Sequence, residues 1–526
     1  MKKQHQSQIL DLLKTIENAQ SSSMYAECQE AALSICDFIE DVVGEGTVTV
    51  ELIVEYCELL FKAHNGENVD GLLDEQIVKI ENSVRLELKP TCFEIAFISH
   101  KVAQSDSIES IYLAAKSDPS CDAYWVSVPY IVHKDGEIPD ETHLEALGFY
   151  DERFEITDYQ KYDIKARRPD AIFTFCPYNL GSGTVTIHPD YYVENLKEAT
   201  DMLVYVPYHI FIDKVAGDDD ARKEFVDKHI VASSHENKDN YNLFATPGSV
   251  NADLVITQSE NVKQIYQGAN RKALGVKTED DERKLDKFVA LGHPKIDKTI
   301  NSSQEEFVMP KEWLDVIGDR KVILYNSSLV GAGQASSIAV YLQKLLDIIS
   351  VFSGRKDAVL WWRPHPFLGD ILRKTYPEAA QQIKKVMDVF VKSGIGILDE
   401  THDLHRAIAW SDAYYGDISS VLYMYAFTGK PALRIEPKTF IAGCNTLGIA
   451  KKTNFKEPDV TRGLYWYADC ESDTFNLDDF ISYVSSDKNT SEVVEKRAKS
   501  YREAFTEDGG MAGARIFEYV KNLILN

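Results

Sequence analysis

The sequence predicts an α/β architecture of two doubly wound, Rossmann-like sheets, with a helical extension before them and helices after them. Two observations predict it. From about Pro90 onward, short uninterrupted apolar runs rich in β-branched and aromatic residues alternate with segments of helical periodicity, the pattern of parallel strands covered on both faces. A polar stretch, KTINSSQEEFVMPKE at 298–312, divides those runs into two series and reads as a linker.

Residues 1–88 form the expected extension, where apolar residues recur at helical spacing in ILDLLKTI and LIVEYCELLF and Asn65-Gly66 marks a stop. The first α/β unit is expected at 89–298. Its strands are FEIAFIS (93–99), DAYWVSVPY (122–130), DAIFTFCPY (170–178), DMLVYVPYHI (201–210), ADLVITQSE (252–260) and FVALG (288–292). Segment 213–250, dense in charge and without period, reads as an insertion or lid facing a cleft. The second unit is expected at 313–475, with strands in KVILYNSS (321–328), DAVLWWRPHP (357–366), GIGILDE (394–400), DAYYGD (412–417) and PALRIE (431–436). Residues 476–526 return to helical periodicity in TSEVVEKRAKSYREAF and ARIFEYVKNLIL.

Charge restricts the partners. With 57 basic against 83 acidic residues and a net charge of −26, the chain repels long phosphate polymers, which excludes nucleic acid and leaves room for one diphosphate in a local pocket. No apolar window of about 20 residues spans a membrane. The N-terminal MKKQHQSQILDLLKTIENAQ lacks the apolar core of a secretion signal, so a cytoplasmic protein is expected. The 8 cysteines form no CxxC pair and no zinc spacing with histidine, so buried reduced thiols and no metal centre are expected.

Chemistry concentrates at the strand ends of the second unit. Asp417 follows the strand at Ala413–Gly416, and Ser419 and Ser420 open the next helix. Free backbone N–H groups, the positive dipole end and two small hydroxyls there suit a diphosphate, although Asp417 and Ser419 can equally serve as helix caps. In the 357–366 run, two prolines pin the loop around His365, which can donate to a phosphate, and Arg363 can pair with a phosphate or a nearby carboxylate. Asn326-Ser327-Ser328 lies on the same rim. In the first unit, Ser105-Asp106-Ser107 either binds an acceptor or its phosphate, or caps the helix that follows. His402 and His405, three apart with no further His or Cys nearby, are expected on an exposed helix face.

These residues carry a resemblance. Arg363-Pro364-His365-Pro366, Asp417-Ile418-Ser419-Ser420, Lys430-Pro431 and Gly292-His293-Pro294-Lys295-Ile296-Asp297, in this order and spacing, make residues 90–440 resemble the CDP-glycerol glycerophosphotransferase family of teichoic-acid polymerases and primases. The resemblance implies a GT-B arrangement, two Rossmann-like domains with the nucleotide donor on the C-terminal one and no metal or other cofactor. It implies that His365, Ser419 and Ser420 contact the donor phosphates, with Arg363 beside them. Family polymerases place a base in a Trp-His-Gly turn. The corresponding region here reads Tyr208-His209-Ile210, which makes His209 the candidate base and His188, in TIHPDYY, its rival. The acidic residue that often follows the serine pair is absent, and Leu422, Tyr423 and Met424 occupy that region.

The implied reaction moves glycerol phosphate, or a related polyol phosphate, from a CDP-linked donor to a hydroxyl acceptor in cell-surface polymer synthesis. The acceptor would be lipid-linked or a glycan, reached by peripheral contact with the inner face of the membrane. Two further readings stay open: transfer from a UDP- or CDP-sugar, and a non-catalytic nucleotide-binding subunit.

Overall fold

The computed structural model describes all residues except 70, 133–140, 146–152, 178, 180–184, 212–243, 328–337, 366–367, 376, 418, 436–465, 469–476, 506–509 and 526. The charged insertion therefore falls mostly outside the described residues, as do Ser328, Pro366 and Ile418.

Four helices, Lys3–Gln20, Tyr25–Val43, Val48–His64 and Leu72–Leu86, form the N-terminal bundle. Their apolar stripes meet in one core that includes Ile9, Ile39, Ile53, Leu60 and Ile80. The chain start is fastened to the first lobe: Lys2 Nζ lies 2.7 Å from Asp122 and 3.6 Å from Glu94.

Among the described residues ten strands follow: β1 (Phe93–Ser99), β2 (Cys121–Ser127), β3 (Tyr130–Val132), β4 (Glu141–His143), β5 (Ile156–Asp158), β6 (Ala171–Thr174), β7 (Val185–Ile187), β8 (Met202–Tyr205), β9 (Leu254–Thr257) and β10 (Phe288–Ala290). Seven of them make one parallel sheet in the order β10-β9-β8-β6-β1-β2-β5. A small antiparallel sheet, β4-β3-β7, stands apart from it. All seven residues of β1 are buried, the consequence of a sheet covered on both faces.

The second lobe holds β11 (Lys321–Ser327), β12 (Ala358–Pro364), β13 (Gly396–Leu398), β14 (Ala413–Gly416), β15 (Ala432–Ile435) and β16 (Trp466–Ala468). They pair in parallel as β13-β12-β11-β14-β15-β16. Both parallel sheets thus reverse their strand order once beside the first strand, between β1 and β6 and between β11 and β14. Such a reversal opens a crevice at the carboxyl edge where doubly wound sheets bind ligands.

Every long apolar run read as a strand is one. The short β4, β5, β7 and β16, three residues each, are not among the expected strands, and β16 accounts for part of the aromatic Tyr465-Trp466-Tyr467 run. The polar stretch 298–312 begins inside the Pro294–Asn301 helix, and the Lys311–Ile317 helix starts near its end, leaving a shorter crossing. The terminal helices divide between the lobes. Leu477, Phe480 and Ile481 join the second lobe's core, whereas Ile516, Phe517 and Val520 of the last helix, Ala512–Leu525, pack with Ile95, Phe97 and Tyr112 of the first.

Asp297 fixes that return. One carboxylate oxygen accepts from Ala512 N at 3.0 Å, and the other from Gly513 N at 2.7 Å and Ser110 Oγ at 2.9 Å. It caps the last helix and closes the first lobe with one side chain. Gly513 is required because a Cβ there would lie 2.3 Å from Ser110 Oγ and 2.5 Å from the Ser110 carbonyl carbon. Gly513→Ala is expected to destabilise the protein by about 1–3 kcal/mol, the usual cost of overpacking. Urea titration checks it: the midpoint should fall with an unchanged slope.

Candidate functional site

The crevice of the second lobe is built around Asn326 at the end of β11. Its Nδ2 donates to Arg363 O at 3.1 Å, and its Oδ1 accepts from Ser419 Oγ at 3.3 Å. Asn326 therefore ties β12 to the start of the Ser420–Ala426 helix across the switch in strand order. Ser419 caps that helix, accepting from Leu422 N at 3.4 Å. Gly416 is dictated by close approach, since a Cβ would lie 2.5 Å from Asn326 O. Ser419 and Ser420 are partly exposed on this rim.

Three of the candidate residues do something other than face a ligand. Asp417 is buried in an ion pair with Lys344 at 2.7 Å, so its charge is spent inside the lobe. Ser327 is fully buried, its carbonyl accepting from His365 N at 3.1 Å. Arg363 takes the carboxylate option: it donates to Asp399 Oδ2 at 2.7 Å and to Thr401 O at 2.6 Å. Asp399 also accepts from Thr401 N at 2.9 Å and Trp361 Nε1 at 3.0 Å, so Arg363 braces the loop after β13.

His365 and Arg363 line a cavity of about 900 Å³, with Lys101 and Ala103 from the first lobe on its far side. Burial holds the His365 imidazole down at about 4, so it is neutral at pH 7 and can donate one hydrogen bond.

In the first lobe, β8 runs into the Pro207–Phe211 turn that carries His209. The turn is clamped from two sides. His293 Nε2 meets Pro207 O at 2.6 Å, and Gln258 exchanges bonds of 2.9 and 2.8 Å with Phe211. Burial, then the nearby charge of Lys295, then His293, lower His209 to about 3. His188 lies elsewhere, capping the short Pro189–Tyr191 turn and accepting from Asp190 N at 3.4 Å. Neither histidine is among the described residues lining that cavity or a second one of about 1010 Å³ beside Asp106.

The lobes meet at Asp106. Ser105, Asp106 and Ser107 are buried in a 3₁₀ turn, Val102–Ser107, and the helix after it has no side-chain cap, so the capping alternative is not realised. Ser105 Oγ and Ser107 Oγ donate to Val102 O at 2.7 Å and Gln104 O at 2.8 Å. Asp106 pairs with Lys295 and accepts from His405 Nε2 at 2.9 Å. Burial alone would raise its carboxyl, yet Lys295 and His405 outweigh burial and hold it well below the usual carboxylate range.

The exposed face expected for His402 and His405 is right for the first only. His405 is 3% exposed because the first lobe covers it. Its helix, Leu404–Trp410, is capped at one end by Asp403, which accepts from Arg406 N at 3.1 Å. At the other end Lys430 Nζ donates to the carbonyls of Ile408, Ala409 and Ser411 at 3.0, 2.9 and 2.7 Å. Lys430 and Asp297, noted only as parts of motifs, are thus structural clamps. Among the described residues no group of three or more His, Cys, Asp or Glu could hold a metal, and no helix is long and apolar enough to cross a membrane.

Residues 220–438 match the model of the CDP-glycerol:poly(glycerophosphate) glycerophosphotransferase family. The match covers less than half of the chain and marks this stretch as similar to that family. It runs from the charged insertion through β15, so it holds Asn326, Arg363, His365, Asp417, Ser419 and Ser420, while His188, His209 and Ser105–Ser107 precede it. The matched segment is shorter than the 90–440 over which the resemblance was read. No curated protein matches the chain. Among solved structures, the chain is similar to the wall teichoic acid polymerase TagF, with 14% identity over 90% of this chain and 98% of that one and a TM-score of 0.42. It is also similar to S. aureus MnaA, solved with UDP, at 13% identity over 82% and 98% with a TM-score of 0.46. A UDP-N-acetylglucosamine 2-epimerase shows 14% identity over 82% and 95% with a TM-score of 0.42.

The buried imidazoles have a consequence for stability. His100 and His209 are lowered to about 3, and His293 and His365 to about 4, each chiefly by burial. The unfolded chain, with an ordinary histidine value near 6.5, binds these protons first. Stability is therefore expected to be full above about pH 6.5 and to fall as pH drops toward 4, by about 2 kcal/mol per histidine at pH 5. Denaturant midpoints measured from pH 8 to pH 4.5 check it. A flat profile would show that these rings are not neutral and buried together.

Proposed function

We propose that this chain is a transferase that moves glycerol phosphate, or a related polyol phosphate, from a CDP-linked donor to a hydroxyl acceptor in teichoic-acid-like polymer synthesis. One observation carries the reading. The segment that matches the family model, 220–438, contains the strand-order switch of the second sheet, with Asn326 and Ser419 joined there and His365 lining the adjacent cavity. The arrangement of two Rossmann-ordered lobes supports a GT-B reading of the whole, with the donor on the second lobe.

In the proposed step the acceptor oxygen attacks the β-phosphorus of the donor. The bond from that phosphorus to the oxygen bridging it to the α-phosphate breaks, and CMP leaves. The acceptor proton passes to His209. That ring is neutral at pH 7 and so has the free lone pair a base needs. A value of about 3 makes it a weak base until the approach of an anionic donor raises it. His365 and Ser419 donate to the equatorial oxygens as charge develops. Arg363 acts through the Asp399–Thr401 loop that it braces. The acceptor, lipid-linked or glycan, enters between the lobes, and any contact with the membrane is peripheral.

Two measurements test this. His365→Ala should weaken CDP-glycerol binding by about 5- to 100-fold, the loss of one charge-assisted hydrogen bond. Because the bound diphosphate raises His365 from about 4, binding should take up a proton near pH 5.5 and tighten as pH falls. Calorimetry in two buffers of different ionisation enthalpy reads this directly, and unchanged affinity with no proton uptake would place the donor elsewhere. Separately, His209→Gln should keep CDP-glycerol binding and lower CMP release by about 10²–10⁴-fold. Full CMP release by that variant would remove His209 as the base, and none from the native protein with any acceptor would sink the transferase reading.

A further inference from the structure

The N-terminal bundle contributes no residue to the transfer reaction proposed above, and it precedes both Rossmann-like sheets and the 220–438 segment. Its surface differs from that of the lobes. Of the twenty large apolar side chains that stand exposed among the described residues, ten lie within residues 1–88. Three of them, Leu33, Val54 and Phe61, gather in one place. We propose that the groove between the Tyr25–Val43 and Val48–His64 helices docks a partner protein through a basic amphipathic helix.

Helix geometry brings the three together. The two helices are antiparallel neighbours joined through Gly44–Thr47, and Cys36 and Cys57 lie near each other at their seam. Each helix has its other flank occupied. Gln76 Nε2 of the Leu72–Leu86 helix donates to Leu52 O at 3.0 Å and to Glu55 at 2.9 Å. His5 of the first helix meets the Phe38 ring at 5.2 Å between centroids. With about 100° between successive residues, Val54 and Phe61 turn away from the Leu52 flank, and Leu33 turns away from the Phe38 flank. All three therefore border the shared seam. Across so short a connection Leu33 comes level with Glu58, between Val54 and Phe61. The three side chains are 46%, 45% and 59% exposed in the order Leu33, Val54, Phe61, so the described residues leave them uncovered.

Charge decides the occupant. Glu30, Asp37 and Glu40 on one helix and Glu51 and Glu58 on the other stand exposed around the apolar patch. From Tyr25 to His64 the chain has nine acidic residues and one basic, Lys62. A second copy would bring the same charge to the contact, and an anionic lipid surface is repelled in the same way. A helix with an apolar stripe and Lys or Arg beside it satisfies both features of the groove. Its stripe covers Leu33, Val54 and Phe61, and its cations meet the carboxylates. Val54 and Phe61 stand two turns apart, the interval between i and i+7 on an incoming helix.

The test uses the full chain and three labelled peptides of about 18 residues, or five turns, read by fluorescence anisotropy at low salt. The first places Leu and Lys at helical spacing to give a basic amphipathic helix. The second scrambles that composition so that no stripe forms, and the third replaces every Lys by Glu. The first is expected to bind at least about tenfold more tightly than the others and to weaken as salt rises. Val54→Ser with Phe61→Ser should weaken it by about tenfold or more, whereas Val389→Ser, at an exposed apolar position of the second lobe, should leave it unchanged. Glu30→Gln with Glu58→Gln should weaken it by about threefold and flatten the salt dependence. All these side chains are exposed, and an unchanged thermal midpoint confirms that each variant is folded. Equal binding of the scrambled peptide, or binding indifferent to the Val54 and Phe61 substitutions in the folded variant, would overturn the proposal. So would a dimer of the chain, or its co-sedimentation with anionic vesicles, that those two substitutions abolish, since the groove would then belong to a second copy or to a membrane.

Discussion

One buried carboxylate sets how the two lobes meet. Asp106 leaves the carboxyl end of β1, takes Lys295 from its own lobe and accepts from His405 of the other. Burying such a group gains little net stability, because desolvation roughly cancels the attraction, but removing either partner strands a charge at a cost of about 3–5 kcal/mol. The cluster therefore specifies geometry. Any other seating of the second lobe would leave Lys295 and Asp106 facing an apolar wall or water, and the crevices of the two sheets would no longer share an opening.

The same Lys295 links this contact to the turn that carries His209. His293, two residues earlier, holds Pro207 O, and the charge of Lys295 is one of the influences that keep His209 neutral. A single short motif, Gly292–Asp297, thus orients the candidate base, anchors the interlobe carboxylate and caps the last helix. On the opposite lobe, Lys430 fastens the carboxyl end of the helix that presents His405, while Asn326 and Arg363 fasten the loops that flank His365. Side chains reaching across elements hold both rims.

The two-sheet plan was legible because uninterrupted apolar strands such as FEIAFIS and KVILY are unlike anything a half-exposed sheet would use. Ser419 was legible as a cap for the same kind of reason, a local one. What was not legible depends on partners far away in the chain. His405 reads as an exposed helical histidine until Asp106, 299 residues earlier, covers it. Asp417 reads as a rim carboxylate until Lys344 is placed beneath it, and Ser327 as a rim hydroxyl until β12 is laid beside β11. Three-residue strands such as β5 and β7 carry too few side chains for a period to show.

The return of the chain to its first lobe bears on where the lobes are joined. The first crossing leaves the Pro294–Asn301 helix, and the second ends at the Ala512–Leu525 helix. They meet at their first-lobe ends, where Asn301 Nδ2 donates to Gly510 O at 3.1 Å. Both crossings therefore leave the first lobe at one place, on the side where Asp297 holds Ala512 and Gly513.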